Sequence, residues 1–375
     1  GICGIGVFLL LEKKVTRTAG LFGLITSGLL SFQQTLYFSW GRFTQLCGQV
    51  LLLQAVLIFW QVLEDTKDRK GIKGWSNWAE LFLAALVCAA MALIHFRAAA
   101  FALSLFLIIF VWEAVRPQEG NLPRKNMVFS TLIISAMSIV LILPALIPAL
   151  SSYLAPVESV DLALTREVAG SYYGGVTWKT FFSLGVAKWL TILSGLGFVA
   201  GLLFRKTRPL SLIIAVWCFS LLGEGYLYQT GIGKLAFTNM TGIMIMAYLP
   251  AGIFVGLFGD AILSLSARYN LNLQYALVSI ALLAGVVASF DRVEQFDDYR
   301  YFMTGADEKA MQWISNNTSP DSLIGINTYF WLSDAAHGSD AGYWLPYYAG
   351  RSTTTGVMIS NFNDEYDEIL KKCIM

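Results

Sequence analysis

Apolar residues along this chain fall into about ten long runs separated by short polar segments. Most of the runs come near the roughly 17–25 residues that a helix needs to cross a bilayer. The pattern predicts an all-α polytopic membrane bundle of about ten transmembrane helices, occupying residues 1–289. The runs cover residues 1–11, 18–36, 46–63, 79–94, 98–115, 127–150, 180–204, 210–228, 240–263 and 271–289.

Lysine and arginine crowd into every second loop between these runs. If the loops are assigned alternately to the inside and the outside, the positive-inside rule orients the protein and places the tail after residue 290 outside the cytoplasm. The predicted inside loops hold Lys13, Lys14, Arg17, Lys67, Arg69, Lys70, Lys73, Arg116, Arg124, Lys125, Arg205, Lys206, Arg208 and Arg268. The predicted outside loops hold Arg42, Arg97, Arg166, Lys179 and Lys234.

Composition agrees with a membrane protein and not with a soluble enzyme. Hydrophobic residues make up 56% of the chain and charged residues 14%, and the mean hydropathy is +0.60. The net charge is only +1, and no basic stripe exists outside the inner loops, so the sequence argues against nucleic acid as a partner. Trp60, Trp75, Trp78 and Trp112 fall at predicted inner ends of spans, where an interfacial aromatic belt is expected.

The last part of the chain, residues 290–375, has a different composition. Acidic residues become frequent, and residues 307–316 predict a short helix with Met311 on its apolar face. A turn at 318–321 and a strand-like run at 323–330 follow. This order predicts a small extracytoplasmic α/β segment, and the chain ends soon after another amphipathic pattern, so we expect further sequence beyond it.

Two features predict local distortions of the helices. Residues 79–115 are too long for one span, and their only polar interruption is His95-Phe96-Arg97, so a helical hairpin should reverse there although it has neither Gly nor Pro. Pro144, Pro148 and Pro250 lie inside apolar runs, where a missing backbone donor kinks a helix.

Ionisable groups at span ends are the candidates for chemistry, since burying each in lipid costs at least roughly 2.5 kcal/mol. Four potential cations and one carboxylate map to the outer half, a set that suits an anionic ligand such as a lipid-borne phosphate. The alternative is that the arginines reach outward to outer-leaflet phosphates. The five candidates are Arg42, His95, Arg97, Glu224 and Lys234.

Other polar positions carry weaker signals. Lys188 and Asp260 fit an interhelical structural pair somewhat better than a transport relay. Asp334, His337 and Asp340 offer three potential metal ligands, but their spacing fits no zinc signature and resembles an ordinary turn.

Several short segments resemble a known family. Trp40-Gly41-Arg42-Phe43-Thr44-Gln45-Leu46, His95-Phe96-Arg97, Asp340-Ala341-Gly342-Tyr343-Trp344-Leu345-Pro346 and Gly350-Arg351 look like segments of bacterial membrane proteins of the GT-C glycosyltransferase type. The resemblance implies a polyprenyl-phosphate-linked sugar donor, a glycan, lipid or protein acceptor, and an active site on the outer face of the bacterial inner membrane. It leaves a divalent metal ion open as a cofactor.

In that family the acidic catalytic base lies in the first outer loop, which corresponds to sequence upstream of Gly1. The chain opens inside an apolar run, so we expect its natural N-terminus, and that base, to lie upstream. The sequence therefore predicts a membrane glycosyltransferase whose Arg42, His95 and Arg97 contact the donor phosphate. Two alternatives stay open: a transporter or flippase of a lipid-linked or anionic solute, and a non-catalytic envelope assembly protein.

Overall fold

The computed structural model of this chain describes most of its helices and part of its tail. The described residues are 2–39, 42–68, 75–116, 124–154, 178–229, 238, 240–269, 273–290, 292, 303–330, 336–338 and 340–354. The chain divides into two compact units, of which unit 1 comprises Gly1–Ala145 and Val176–Phe296, and unit 2 comprises Leu146–Gly175 and Asp297–Met375.

Unit 1 is an all-α bundle of the membrane type, and about 86% of the described residues of the chain are helical. Its helices are α1 (Cys3–Lys14), α2 (Arg17–Ile25), α3 (Gln33–Ser39), α4 (Phe43–Asp68), α5 (Trp75–Ile94), α6 (Phe96–Val115), α7 (Arg124–Leu154, continued into unit 2), α8 (Trp178–Leu184), α9 (Lys188–Leu203), α10 (Arg208–Gln229), α11 (Met240–Met246), α12 (Tyr248–Arg268) and α13 (Gln274–Phe290).

Among the described residues, five helical stretches are long and apolar enough to cross a membrane. They are Phe43–Thr66, Phe96–Val115, Lys125–Ile147, Arg208–Tyr226 and Tyr248–Arg268. Three shorter apolar helices, Trp78–Ile94, Lys188–Leu203 and Gln274–Phe290, accompany them. The predicted runs at 1–11 and 18–36 give shorter helices, and the second is interrupted, because a π-helical turn at Thr26–Leu30 follows α2 and the backbone is extended at Ser31.

The prolines have unequal effects on the helices. α7 continues through Pro144 and Pro148, whereas the helical path 240–268 is interrupted by a tighter turn at Ala247, three residues before Pro250. The backbone of Ala247 stays in the right-handed helical region, and its N–H donates to the Met244 carbonyl oxygen over 3.2 Å. Proline cannot donate to the carbonyl four residues earlier, which here is that of Met246, and its ring crowds that carbonyl. The interruption upstream of Pro250 therefore has a local cause in the sequence.

Small residues let three helices of unit 1 approach closely. A Cβ atom at Gly256 of α12 would lie 2.7 Å from the Ala19 carbonyl oxygen of α2, and one at Gly252 would lie 3.2 Å from the Gly23 carbonyl oxygen. On another side of α12, a Cβ atom at Gly197 of α9 would lie 1.9 Å from the Phe254 carbonyl oxygen. Such spacing of small residues four apart is how membrane helices bring their backbones together.

Charged and aromatic side chains join α1, α4 and α6 at the predicted inner end. Lys14 Nζ lies 2.7 Å from Glu64 Oε2 and 4.0 Å from the centre of the Trp60 ring. The indole N–H of Trp60 donates to Glu113 Oε1 over 3.0 Å. Trp60 is buried in the core, so its predicted place in an interfacial belt is wrong, whereas Trp78 is 48% exposed. Trp60 thus serves as a structural link between helices.

Unit 2 contains α14 (Gly305–Asn317), β1 (Leu323–Ile324), β2 (Thr328–Phe330), β3 (Ala336–Gly338), a 3-10 turn (Asp340–Trp344), α15 (Leu345–Ala349) and β4 (Ser352–Thr353). β1 pairs with β4 in parallel, and β2 pairs with β3 in antiparallel fashion. α14 overlaps the predicted helix 307–316, and Met311 is buried against α15 residues Leu345 and Ala349. This packing gives unit 2 its own small core.

Candidate functional site

The hairpin predicted between the two apolar helices is present, and His95 forms its turn. α5 ends at Ile94 and α6 begins at Phe96, with His95 in an extended conformation at the N-cap position of α6. The His95 Nδ1 atom accepts a hydrogen bond from the Arg97 backbone N–H over 3.2 Å. The imidazole takes the place of the Ser, Thr, Asp or Asn that usually caps a helix. A turn without Gly or Pro is stable here because its histidine satisfies a backbone donor.

Arg42 and Arg97 act on the same histidine. Partial burial, then the positive charge of Arg97 and then that of Arg42, lower the pKa of His95 to about 4. His95 is therefore a neutral hydrogen-bonding group at neutral pH, and it is the member of the four potential cations whose charge its surroundings disfavour. The structure brings Arg42, His95 and Arg97 together, and we call these three residues the arginine site.

A glycine of α4 lets the turn lie against that helix. A Cβ atom at Gly48 would lie 2.8 Å from the Ala98 Cβ and 3.3 Å from the His95 Cβ. Arg42 immediately precedes α4, and its backbone N–H donates to the Tyr37 carbonyl oxygen over 3.0 Å. The arginine site is therefore positioned by the close approach of the start of α4 to the start of α6.

Glu224 lies at the same end of unit 1, although no described contact joins it to the arginine site. Its neighbour Gly225 faces Met240 and Ile243 of α11, and the carbonyl of Gly242 in α11 accepts a hydrogen bond from Gln45 at the start of α4. The Glu224 Oε2 atom is buried and has no hydrogen-bond partner among the described residues. Lys234, the fifth predicted site residue, lies outside the residues that the structure describes.

The predicted pairing of Lys188 with Asp260 is wrong. Asp260 Oδ1 accepts a hydrogen bond from the hydroxyl of Thr16, the N-cap residue of α2. Lys188 is exposed at the start of α9, with its Nζ 5.7 Å from the centre of the Phe182 ring. The carboxylate therefore has a structural role between α2 and α12.

The structure leaves the weak metal motif of the tail untested. Asp334 and the side chains of His337 and Asp340 lie outside the described part of the chain. Among the described residues, no group of three or more His, Cys, Asp or Glu side chains is placed to hold a metal ion.

A cluster of glutamines that the sequence analysis did not single out fills the bundle where two helices are interrupted. Gln33, Gln34, Gln45 and Gln49, the glutamine cluster, are each at most 9% exposed. Gln33 Nε2 donates to the Met244 carbonyl oxygen over 2.7 Å, Gln45 Nε2 donates to that of Gly242 over 3.3 Å, and Gln34 Nε2 donates to that of Ser27. Their amide groups thus bond carbonyls beside the interruptions.

The π-helical turn explains why the Ser27 carbonyl needs such a partner. The Met244 carbonyl, by contrast, also accepts a hydrogen bond from the Ala247 N–H. The N–H of Ser31 bonds the Thr26 carbonyl oxygen, five residues earlier, instead of that of Ser27. The Ser27 carbonyl would otherwise be left without a donor in an apolar bundle, which is costly. The sequence did contain a sign of this cluster: Gln33, Gln34 and Gln49 are polar residues that fall inside predicted apolar runs.

Comparison with known proteins adds no family to this description. No protein-family model matches the chain, and no curated protein matches it either.

Proposed function

We propose that the protein is an integral-membrane glycosyltransferase that takes a sugar from a polyprenyl-phosphate donor and passes it to an extracytoplasmic acceptor. The observation that carries the proposal is the arginine site: two arginines flank a neutral, partly buried imidazole at the mouth of a helical hairpin. When a glycosidic bond to phosphate breaks, negative charge grows on the leaving phosphate. Guanidinium groups placed beside that phosphate stabilise the growing charge, and Arg42 and Arg97 are both partly shielded from water.

The proposal assigns separate roles to the members of the site. Arg42 and Arg97 bind the donor phosphate, and His95 holds the first turn of α6 in place through its bond to the Arg97 N–H. Glu224, whose buried oxygen has no described partner, binds a hydroxyl of the donor sugar. The proposed orientation puts the arginine site outside the cytoplasm of a bacterium, and the positive-inside rule places the tail after residue 290 there as well.

The test is the binding of polyprenyl phosphate to the whole chain in lipid nanodiscs. Arg42→Gln and Arg97→Gln should each weaken binding by about tenfold, the value of a charge-assisted hydrogen bond. Arg116→Gln is the matched control, because Arg116 is exposed just after the opposite end of α6. Its binding should equal that of the unaltered chain.

The lipid controls separate a specific donor site from simple attraction to the bilayer. Phosphatidylglycerol carries a phosphate without a polyprenyl chain, so it should compete poorly. Equal competition by phosphatidylglycerol would show that the arginines only hold ordinary lipid, and the donor assignment would be wrong. Because the pKa of His95 is about 4, binding should not change between about pH 5 and 8 through this residue.

One observation favours a second candidate, a transporter or flippase of a lipid-linked solute. Two interrupted helices face each other across buried polar side chains, which is how many transporters build a substrate or ion path. A fluorescent polyprenyl phosphate in proteoliposomes tests this candidate. Translocation that is lost in Gln34→Met would support it, whereas binding without any translocation would leave the transferase as the better proposal.

A further inference from the structure

The glutamine cluster has an excess of acceptors that its own members do not use. Gln34 Oε1 and Gln45 Oε1 are buried and have no hydrogen-bond partner among the described residues. By contrast, Gln33 Oε1 accepts a bond from the Ser31 hydroxyl over 2.9 Å. Gln34 and Gln45 therefore each have a buried amide oxygen that accepts no hydrogen bond from any described residue.

The orientation of these two amides is fixed by their nitrogen atoms. Gln34 Nε2 and Gln45 Nε2 donate to the carbonyl oxygens of Ser27 and Gly242. Turning either amide over would place its oxygen against another oxygen, so neither can exchange its oxygen and nitrogen positions. Both free atoms are therefore oxygens by necessity.

Tyr248 joins this pair of glutamines to a third one. The Tyr248 hydroxyl donates to Gln49 Oε1 over 2.9 Å and also contacts the side chain of Gln34. Gln49 lies one turn after Gln45 on α4, so the two share a helix face. The Gln49 Nε2 atom has no described partner. If the Gln49 amide turned over, it would donate to Tyr248 and present a third oxygen.

The backbone adds negative potential at the same place. The carbonyls that Gln34 and Gln33 bond, those of Ser27 and Met244, belong to the last turns of two helical segments that end at Leu30 and Met246. Helix C-terminal ends carry partial negative charge. Interrupted helices use such ends, with amide and backbone oxygens, to replace the hydration shell of Na⁺ or K⁺.

We propose that Gln34, Gln45 and Gln49 bind a monovalent metal cation, Na⁺ or K⁺, between the two interrupted helices. A divalent ion is disfavoured because Ca²⁺ and Mg²⁺ sites rely on carboxylates, and the described members of this cluster are uncharged. The site uses none of the residues of the arginine site. It therefore stands whether or not the chain transfers sugars.

Two measurements on the whole detergent-solubilised chain test the site. The first is binding of ²²Na⁺, with unlabelled Na⁺ and K⁺ as competitors. The second is the unfolding temperature, followed by tryptophan fluorescence in NaCl, KCl and choline chloride at equal ionic strength. The bound ion should raise the unfolding temperature in a saturable way, because it binds the folded state only. Choline is too large for a site formed by three side-chain amides and should give no rise.

Gln33→Met is the matched control for Gln34→Met and Gln45→Met. All three changes remove a buried amide that bonds a backbone carbonyl, but the oxygen of Gln33 is already used. Each test variant should bind the ion about tenfold more weakly or worse, while Gln33→Met keeps the ion-dependent rise from a lower starting temperature. If a variant does not fold, binding of ²²Na⁺ to the unaltered chain decides alone. Identical behaviour of the unaltered chain in all three salts, with no ²²Na⁺ binding, would show that water alone fills the site and overturn the proposal.

Discussion

The close approach of α9 to α12 makes a sharp prediction about two glycines in one helix. Gly195 and Gly197 are two residues apart on α9, and a substitution by alanine adds one methyl group at either position. A Cβ atom at Gly195 meets nothing within 4 Å, whereas one at Gly197 would lie 1.9 Å from the Phe254 carbonyl oxygen. The same substitution should therefore have opposite effects on stability at the two positions.

The magnitudes follow from the local geometry. Gly195→Ala should stabilise the chain by about 0.5–1 kcal/mol, the usual preference of a helix for alanine over glycine. At Gly197 the added methyl group would overlap the Phe254 carbonyl oxygen, so the two helices must move apart to admit it. The opposing atom belongs to the backbone and cannot turn aside as a flexible side chain would. Overpacking of this kind costs about 1–3 kcal/mol or more, so the net loss for Gly197→Ala should be about 2 kcal/mol.

Thermal unfolding of the detergent-solubilised chain, followed by tryptophan fluorescence, measures both variants under the same conditions. Gly195→Ala should unfold slightly above the unaltered chain, and Gly197→Ala should unfold well below it. Equal shifts of the two variants, in either direction, would show that α9 does not contact the backbone of α12 at Phe254. The packing of these two helices would then be wrong.

Three further predictions concern the arginine site and unit 2. Gly48→Ala should weaken polyprenyl-phosphate binding without removing a charge, because its Cβ would press on His95 and α6; unchanged binding would contradict this positioning role. Arg351 is buried, and its side chain donates hydrogen bonds to the carbonyl oxygens of Ser315 and Thr318 at the end of α14. Arg351→Ala should therefore destabilise unit 2 by about 3 kcal/mol and expose α14 to limited proteolysis. Hydrogen bonds from the Thr304 side chain and backbone lower the pKa of Asp307. The capping box should therefore be intact above the ordinary pKa of aspartate and be lost as the pH falls through the lowered pKa. Asp307→Asn should make α14 more sensitive to limited proteolysis at neutral pH.

The sequence was a good guide to features that depend on hydrophobic blocks. The hairpin at His95 is present because the apolar stretch 79–115 exceeds any single span, so a reversal had to fall at its only polar interruption. The helix in the tail is present because Thr304 and Asp307 form a capping box that local sequence specifies. Both features follow from residues that are neighbours along the chain.

Features that depend on distant contacts were not predictable in the same way. Trp60 has the composition and position of a belt residue, yet its indole N–H bonds Glu113, which is 53 residues away. Asp260 likewise bonds Thr16 and not Lys188. The sequence shows that a buried carboxylate needs a hydrogen-bond donor. It does not show which of several possible donors, far away along the chain, will be close to that carboxylate in the fold.

The glutamine cluster was missed for a physical reason that also indicates where to look in similar chains. Charge patterning does not respond to an amide at all, and one or two polar residues leave the mean hydropathy of a long apolar run high. Interrupting a membrane helix frees backbone carbonyls, and each freed carbonyl requires a donor that is compatible with burial. A glutamine amide supplies that donor without an ionic charge, and its oxygen then points away from the carbonyl that it bonds. Glutamines inside predicted spans, such as Gln34 and Gln49, therefore indicate both an interrupted helix and a set of oxygens available to a ligand.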